Sequence, residues 1–434
     1  MIRRLLKHGS TLLGGSGVAL AASFLQTLLI ARILGPVDFG VWAGIQAFCS
    51  VVASLLTFRT SEPVTRFLVE YRQHQDNHAI ALLLGTALAV DAATQLLAIL
   101  AIILIAPWVA GNLPGGVAAA SLYPLFAWAL LRSLFDHTWF SVARDLGRYR
   151  AIATLNAAFP VLRLALIATV ITLSGGLTLP ILAMLMVIVG LIQMGVTGFF
   201  LWRAIESGYS LGLAALFQGD LLRRQALLAP FWSFMQATFL WSLFTALVKE
   251  GDVLILGGLR PAEEVGWYRL AKSLVATLQQ IADLLGQVIY QDFSEQVVAR
   301  NGAALRRTAR LLLQTWLPGV VVMTGIGMGL AHPVIPAVFG ANYQPAAEVF
   351  AVLLMGSGVV TMLFWVRPLA LAFELHWYNF QVIVWSSLFF VGLDGVLIQR
   401  WGIRGAAAAF ALIAAAGPLA LLPPVWRRLR QVLP

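Results

Sequence analysis

The chain has 434 residues, 60% of them hydrophobic and 11% charged, and a mean hydropathy of +0.86, outside the range of soluble globular domains. Its formal net charge of +10 is one that nucleic-acid binders carry, yet here the basic residues collect in gaps between long apolar runs. Anionic lipid headgroups are a sufficient partner for such gaps, so nucleic acid is excluded.

Apolar runs of about 20 residues or more predict membrane helices, since a hydrocarbon core of about 30 Å is crossed at about 1.5 Å per residue. In lipid every backbone group must find its partner internally, so the expected fold is all-α and polytopic. In chain order the first two predicted spans are 11–34 and 39–58, parted by Gly35 and Pro36. The first is too long for a signal-peptide core and lacks a small-residue cleavage site, so it reads as a retained helix. Span 80–106 carries Asp91 and Gln95, and 117–140 carries Arg132 and Asp136, spaced to pair on one helix face. Span 152–174 carries Asn156 and Arg163, and 178–202 closes the first half. A linker at 211–228 then separates a six-helix lobe, 1–210, from a second one, 229–434.

The second lobe begins with 229–252, where Thr238, Ser242, Thr245, Lys249 and Asp252 form a polar stripe. Span 265–290 is the most polar: Arg269, Lys272, Gln279, Gln280, Asp283, Gln287 and the adjoining Gln291 recur at helical spacing within one sector. Lipid would not tolerate that face, which predicts a water-filled cavity beside it. Spans 311–330, 346–372 with Arg367, 379–399 with Asp394, and 405–425 follow, making twelve. Pro107, Pro333 and Pro336 are expected to end helices in outer gaps.

The charges orient these spans. Nineteen of the 29 Lys and Arg occupy alternate gaps: Arg3, Arg4, Lys7; Arg59, Arg66, Arg72; Arg144, Arg148, Arg150; Arg203, Arg223, Arg224; Arg300, Arg306, Arg307, Arg310; and Arg427, Arg428, Arg430. The intervening gaps hold only Arg32, Arg260, Arg400 and Arg404. Basic residues favour the cytoplasmic side, so both termini are expected there.

The two lobes look duplicated. Residues 29–42 can be laid over 255–268, and both read as helix end, Pro, acidic residue, apolar residue, Gly, aromatic residue. Gly40 and Gly266 set an offset of 226, roughly half the chain, as a parallel repeat would. At that offset span 265–290 answers to span 39–58, whose uncharged stripe is Gln46, Ser50, Ser54 and Thr57.

The sequence offers no enzyme site. It has no phosphate loop ending in Lys-Ser/Thr, no Gly-x-Ser-x-Gly elbow and no His-Glu-x-x-His. Cys49 is the single cysteine and the histidines are scattered, so neither a disulfide nor a metal site is expected.

With the motifs ARILGPVDFGVW at 31–42, GDVLILGGL at 251–259, VGWYRLA at 265–271, VFGANYQPA at 338–346 and WGIRGAA at 401–407, the chain resembles the multidrug/oligosaccharidyl-lipid/polysaccharide exporter superfamily. The resemblance is to its polysaccharide transporter branch, bacterial O-antigen and exopolysaccharide flippases, and covers nearly the whole chain. It implies a V-shaped, MATE-like alternating-access fold and a monomer in the bacterial cytoplasmic membrane. Its implied substrate is an undecaprenyl-pyrophosphate-linked oligosaccharide, with a polymerase and a chain-length regulator as further partners. Arg269, Lys272, Arg163 and Arg367 would then meet the pyrophosphate, and Gln279, Gln280 and Gln46 the sugars. Asp283, Asp91, Asp136 and Asp252 are the candidates for proton or sodium coupling, with no other cofactor implied. Two readings from the same superfamily compete: a cation-coupled drug antiporter, which would use Asp91 or Asp283, and a lipid II flippase. A membrane enzyme of polysaccharide assembly is the reading from another class.

Overall fold

The computed structural model describes residues 2–217, 221–299 and 302–431. Residues 218–220 of the expected linker, the basic Arg300, and the side chains of Gln287 and Gln291 lie outside that description. Among the described residues the chain is helical almost throughout and contains no strand.

The first half consists of α1 (Ile2–Leu56), α2 (Ser61–Gln73), α3 (Asn77–Val109), α4 (Leu122–Trp128), α5 (Asp136–Asp145), α6 (Tyr149–Ser174), α7 (Leu179–Tyr209) and the short α8 (Leu213–Phe217). The second consists of α9 (Leu221–Leu259), α10 (Ala262–Val298), α11 (Gly302–Leu311), α12 (Leu317–Phe339), α13 (Gln344–Met362), α14 (Val366–Ala372) and α15 (His376–Gln431). Among the described residues, eight helical stretches are long and apolar enough to cross a membrane. Two of them, Gly15–Leu56 and His376–Arg430, each cover two predicted spans.

Both double-length helices bend at a glycine that the sequence marks. In α1 the backbone leaves helical geometry only at Gly35, with φ 73° and ψ 174°. In α15 it does so at Gly402, with φ 58° and ψ −136°. Side chains resist such positive φ values, and glycine accepts them freely. The bend in α15 is a reversal: Phe390 packs with Ala409 and Ile413, and a β-carbon on Gly405 would strike the Leu397 carbonyl.

Several predicted boundaries shift. The gap after the second span holds α2, whose Pro63, Val64, Phe67 and Leu68 are buried. The span 117–140 is interrupted, with 3₁₀ turns at Gly116–Ala119 and Ala129–Ser133 flanking α4. Pro107 lies inside α3, and Pro333 and Pro336 inside α12, so these prolines do not end their helices. In membrane helices, neighbouring groups and local backbone adjustment satisfy what proline leaves open. It is Gly340, at φ 108°, that closes α12.

The helices group into two compact units: Met1–Leu29 with Ile45–Ala246, and Ile30–Gly44 with Leu247–Pro434. The first unit centres on an apolar cluster of α2, α3, α5 and α7 that includes Leu68, Leu83, Val142 and Ala204. In the second, the bend of α1 interlocks with the α9–α10 turn. A β-carbon on Gly40 would collide with the Ala262 carbonyl, and one on Gly266 with the Pro36 carbonyl. Ala262 is the counterpart of Pro36 at the offset of 226, as Gly266 is of Gly40. The contact is thus reciprocal between the two copies of the repeat. Tyr343 fastens the same corner: its hydroxyl donates to the Ala31 carbonyl at 2.9 Å, and its ring meets Phe39 edge-on.

Candidate functional site

Arg260 and Pro261 join α9 to α10 in a turn that leaves no room for a loop, so the chain runs back antiparallel and residues 249–252 of α9 meet residues 268–272 of α10. Charged groups at similar distances from the turn meet there. Arg269 Nη1 lies 2.7 Å from Glu250 Oε2. Deeper in, the Lys272 ammonium donates to both oxygens of Asp252, each at 2.6 Å, and to the Lys249 carbonyl at 2.5 Å. The Tyr268 hydroxyl donates to Asp252 Oδ2 at 2.5 Å. Asp252 and Tyr268 are fully buried, and Lys272 nearly so. Such charge-assisted bonds are the strong class of hydrogen bond.

A second group in this unit faces outward. Lys249, Asp283 and Arg367 are exposed on α9, α10 and α14, and the charges of Arg367 and Lys249 both bear on Asp283. Helix α14 is held against α10 through Pro368 and Phe364, which lie 3.7 and 3.9 Å from the position of a β-carbon on Gly286. Gln279 is half-buried and Gln280 exposed on α10. Two exposed cations, one carboxylate and carboxamides call for water or a polar ligand, because lipid would solvate none of them.

The polar residues of the first unit are arranged differently. Asp91 is buried, and its two oxygens accept from the hydroxyls of Thr60 at 2.8 Å and Thr138 at 2.9 Å. Asp136 accepts from Gln193 at 3.1 Å. Arg163 is half-buried on α6, and the charge that bears on it is another guanidinium, Arg132. Gln46 is half-buried on the second arm of α1.

Of the residues singled out from sequence, Asp252 joins Lys272, Arg367 joins Asp283, and Arg269 is taken by Glu250. Arg163, Gln46, Asp91 and Asp136 belong to the other unit. Lys249 and Asp394 were visible as charges inside spans but carried no assigned role. Asp394 is fully buried, with neither carboxylate oxygen hydrogen-bonded among the described residues. Among those residues no cluster of metal-ligating side chains occurs.

The sequence profile of a family described as polysaccharide biosynthesis protein matches residues 5–295. No curated protein matches the chain in sequence. Among solved structures, it is similar to an inward-facing multidrug resistance MATE family transporter of the MOP superfamily, with TM-score 0.74, 11% identity, and 95% of each chain covered. It is equally similar to the lipid II flippase MurJ in its inward closed conformation, with TM-score 0.74, 13% identity, and coverage of 97% of this chain and 89% of that one. The MATE transporter VcmN of Vibrio cholerae, in its bent form, is similar at TM-score 0.57 and 13% identity, with 99% of this chain and 97% of that one covered. At such identities the shared property is the fold, a multi-pass bundle of the MATE type.

Proposed function

This chain belongs to the polysaccharide biosynthesis protein family, and we propose that it flips an undecaprenyl-pyrophosphate-linked oligosaccharide across the bacterial cytoplasmic membrane. The observation that carries this reading is the exposed group of Lys249, Arg367 and Asp283 beside Gln279 and Gln280. A pyrophosphate needs cations that hydrogen-bond its oxygens, and a sugar chain needs neutral donors and acceptors. Lys249 and Arg367 suit the first task, and the carboxamides suit the second. Arg269 and Lys272 suit it less well than sequence suggests, because each is largely withdrawn from solvent in its ion pair, whereas Lys249 and Arg367 are exposed. Arg163, beside Arg132 in the first unit, is a further candidate for the anion. The lipid tail stays in the bilayer, so no bond need be made or broken.

The drug-antiporter reading requires an accessible acid in an apolar pocket. Asp91 is buried with each of its oxygens bonded to a hydroxyl, and Asp283 lies among cations, so neither suits a cationic drug. A deletion strain tests the proposal: mature surface polysaccharide is lost, and lipid-linked repeat units accumulate on the inner leaflet. In that strain Lys249→Ala with Arg367→Ala restores polymer at least about tenfold less well than the wild type, matching the loss of one charge-assisted contact. Full polymer in the deletion strain sinks the reading.

A further inference from the structure

The ion pair in the second unit has a composition that its role as a helix staple does not require. Lys272 reaches three oxygens at 2.5–2.6 Å, which uses every N–H of its ammonium. Those oxygens, two from the Asp252 carboxylate and one from the Lys249 carbonyl, are joined at Asp252 by the hydroxyl of Tyr268. Asp394, on α15, stands close enough for its charge to bear on Asp252, Lys272 and Tyr268. It is fully buried, and both its oxygens lack a hydrogen-bond partner among the described residues. The Phe410 ring lies 5.5 Å from the ammonium. The Asp252 carboxylate and a carbonyl thus hold the cation directly, a phenol caps that carboxylate, and a second, unpartnered carboxylate acts on the group through its charge.

Hard monovalent and divalent cations take all-oxygen ligand sets of this kind, whereas a staple between two helices needs only one acid and one base. We infer that Lys272 is a built-in cation occupying an alkali-metal site formed by Asp252, Asp394, Tyr268 and the Lys249 carbonyl. The tethered ammonium keeps a free ion out, so the wild-type protein takes up no sodium or potassium at this cluster. Withdrawing the ammonium while keeping the oxygens opens the site to an alkali ion. The inference concerns ion binding alone and stands apart from the flippase reading.

Thermal unfolding of the full-length protein in detergent tests it, in choline chloride against lithium, sodium and potassium chloride at equal ionic strength. The wild type unfolds at the same temperature in choline as in every alkali chloride. Lys272→Met unfolds earlier in choline and recovers by several degrees, saturably, in at least one alkali chloride. Lys272→Met combined with Asp252→Asn does not recover, and with Asp394→Asn it recovers only at higher salt. A saturable alkali response in the wild type that Asp252→Asn removes would overturn the inference. So would a Lys272→Met protein that fails to fold, or does not respond, in choline and alkali chlorides alike.

Discussion

Among the described residues Asp252 is the one carboxylate that the Lys272 ammonium hydrogen-bonds, so removing its charge strands a buried cation. Breaking a buried pair from one side typically costs about 3–5 kcal/mol, far more than the pair contributes net. Asp252→Asn is therefore expected to lower stability by that order, read as a fall in the thermal unfolding midpoint of purified protein. Arg404 and Glu348 supply the contrast: they approach to 2.6 Å, but their side chains are 71% and 48% exposed. Solvent screens such a pair to about 0–1 kcal/mol, so Glu348→Gln should leave the midpoint nearly unchanged. Sequence made the charges of α10 legible as one face, and two members of that face, Arg269 and Lys272, meet polar groups of α9. It could not say which members of the face are neutralised. Arg269, Lys272 and Asp283 share the sector, yet only the partners on α9 and α14 distinguish a closed ion pair from an exposed charge. Helical periodicity gives direction around an axis and is silent about the neighbour.

At the scale of elements, the breaks at Gly35 and Gly402 fall in the gaps between predicted spans, where glycine meets a specific backbone demand. Helix α2 was missed since its apolar residues are few and interleaved with Glu62, Arg66, Glu70 and Arg72, below any hydropathy signal for a span. The antiparallel pairing of α9 and α10 had a usable signal: Glu250 and Asp252 before the turn are answered by Arg269 and Lys272 after it. The reciprocal glycine contact makes a separate prediction. A methyl at Gly40 meets the Ala262 carbonyl and one at Gly266 the Pro36 carbonyl, backbone atoms that cannot rotate away. Overpacking of this sort costs about 1–3 kcal/mol or more, so Gly40→Ala and Gly266→Ala should each lower the unfolding midpoint. Gly195 in α7 has nothing within 4 Å of its β-carbon position, so Gly195→Ala should hold or raise it. Equal midpoints for all three variants would mean that the interlock does not bear load.

At the scale of the whole molecule, the number of crossings decides on which side each loop lies. A straight α15 of 56 residues would be about 84 Å long, nearly three hydrocarbon thicknesses, and would carry Arg428 and Arg430 far beyond the membrane. The Leu397–Gly405 approach and the packing of Phe390 on Ile413 instead fold it into two antiparallel arms. Helix α1, at 55 residues, faces the same length limit and has its own non-helical glycine, and both arms touch Tyr343 through Ala31 and Phe39. The expected twelve crossings require each bent helix to cross twice and α9 and α10 to cross once each, beside the eight apolar stretches among the described residues. An even count would return the C-terminus to the side of the N-terminus, where the basic gaps are expected to place it. A reporter fused after Gln431 should thus be active in its cytoplasmic form and silent in its periplasmic one, and the same holds for a fusion in the gap 203–228. Fusions after Gly35 and after Gly402 should give the opposite pattern. A periplasmic C-terminus would mean an odd number of crossings, and one of the bent helices would then have to pass the membrane only once.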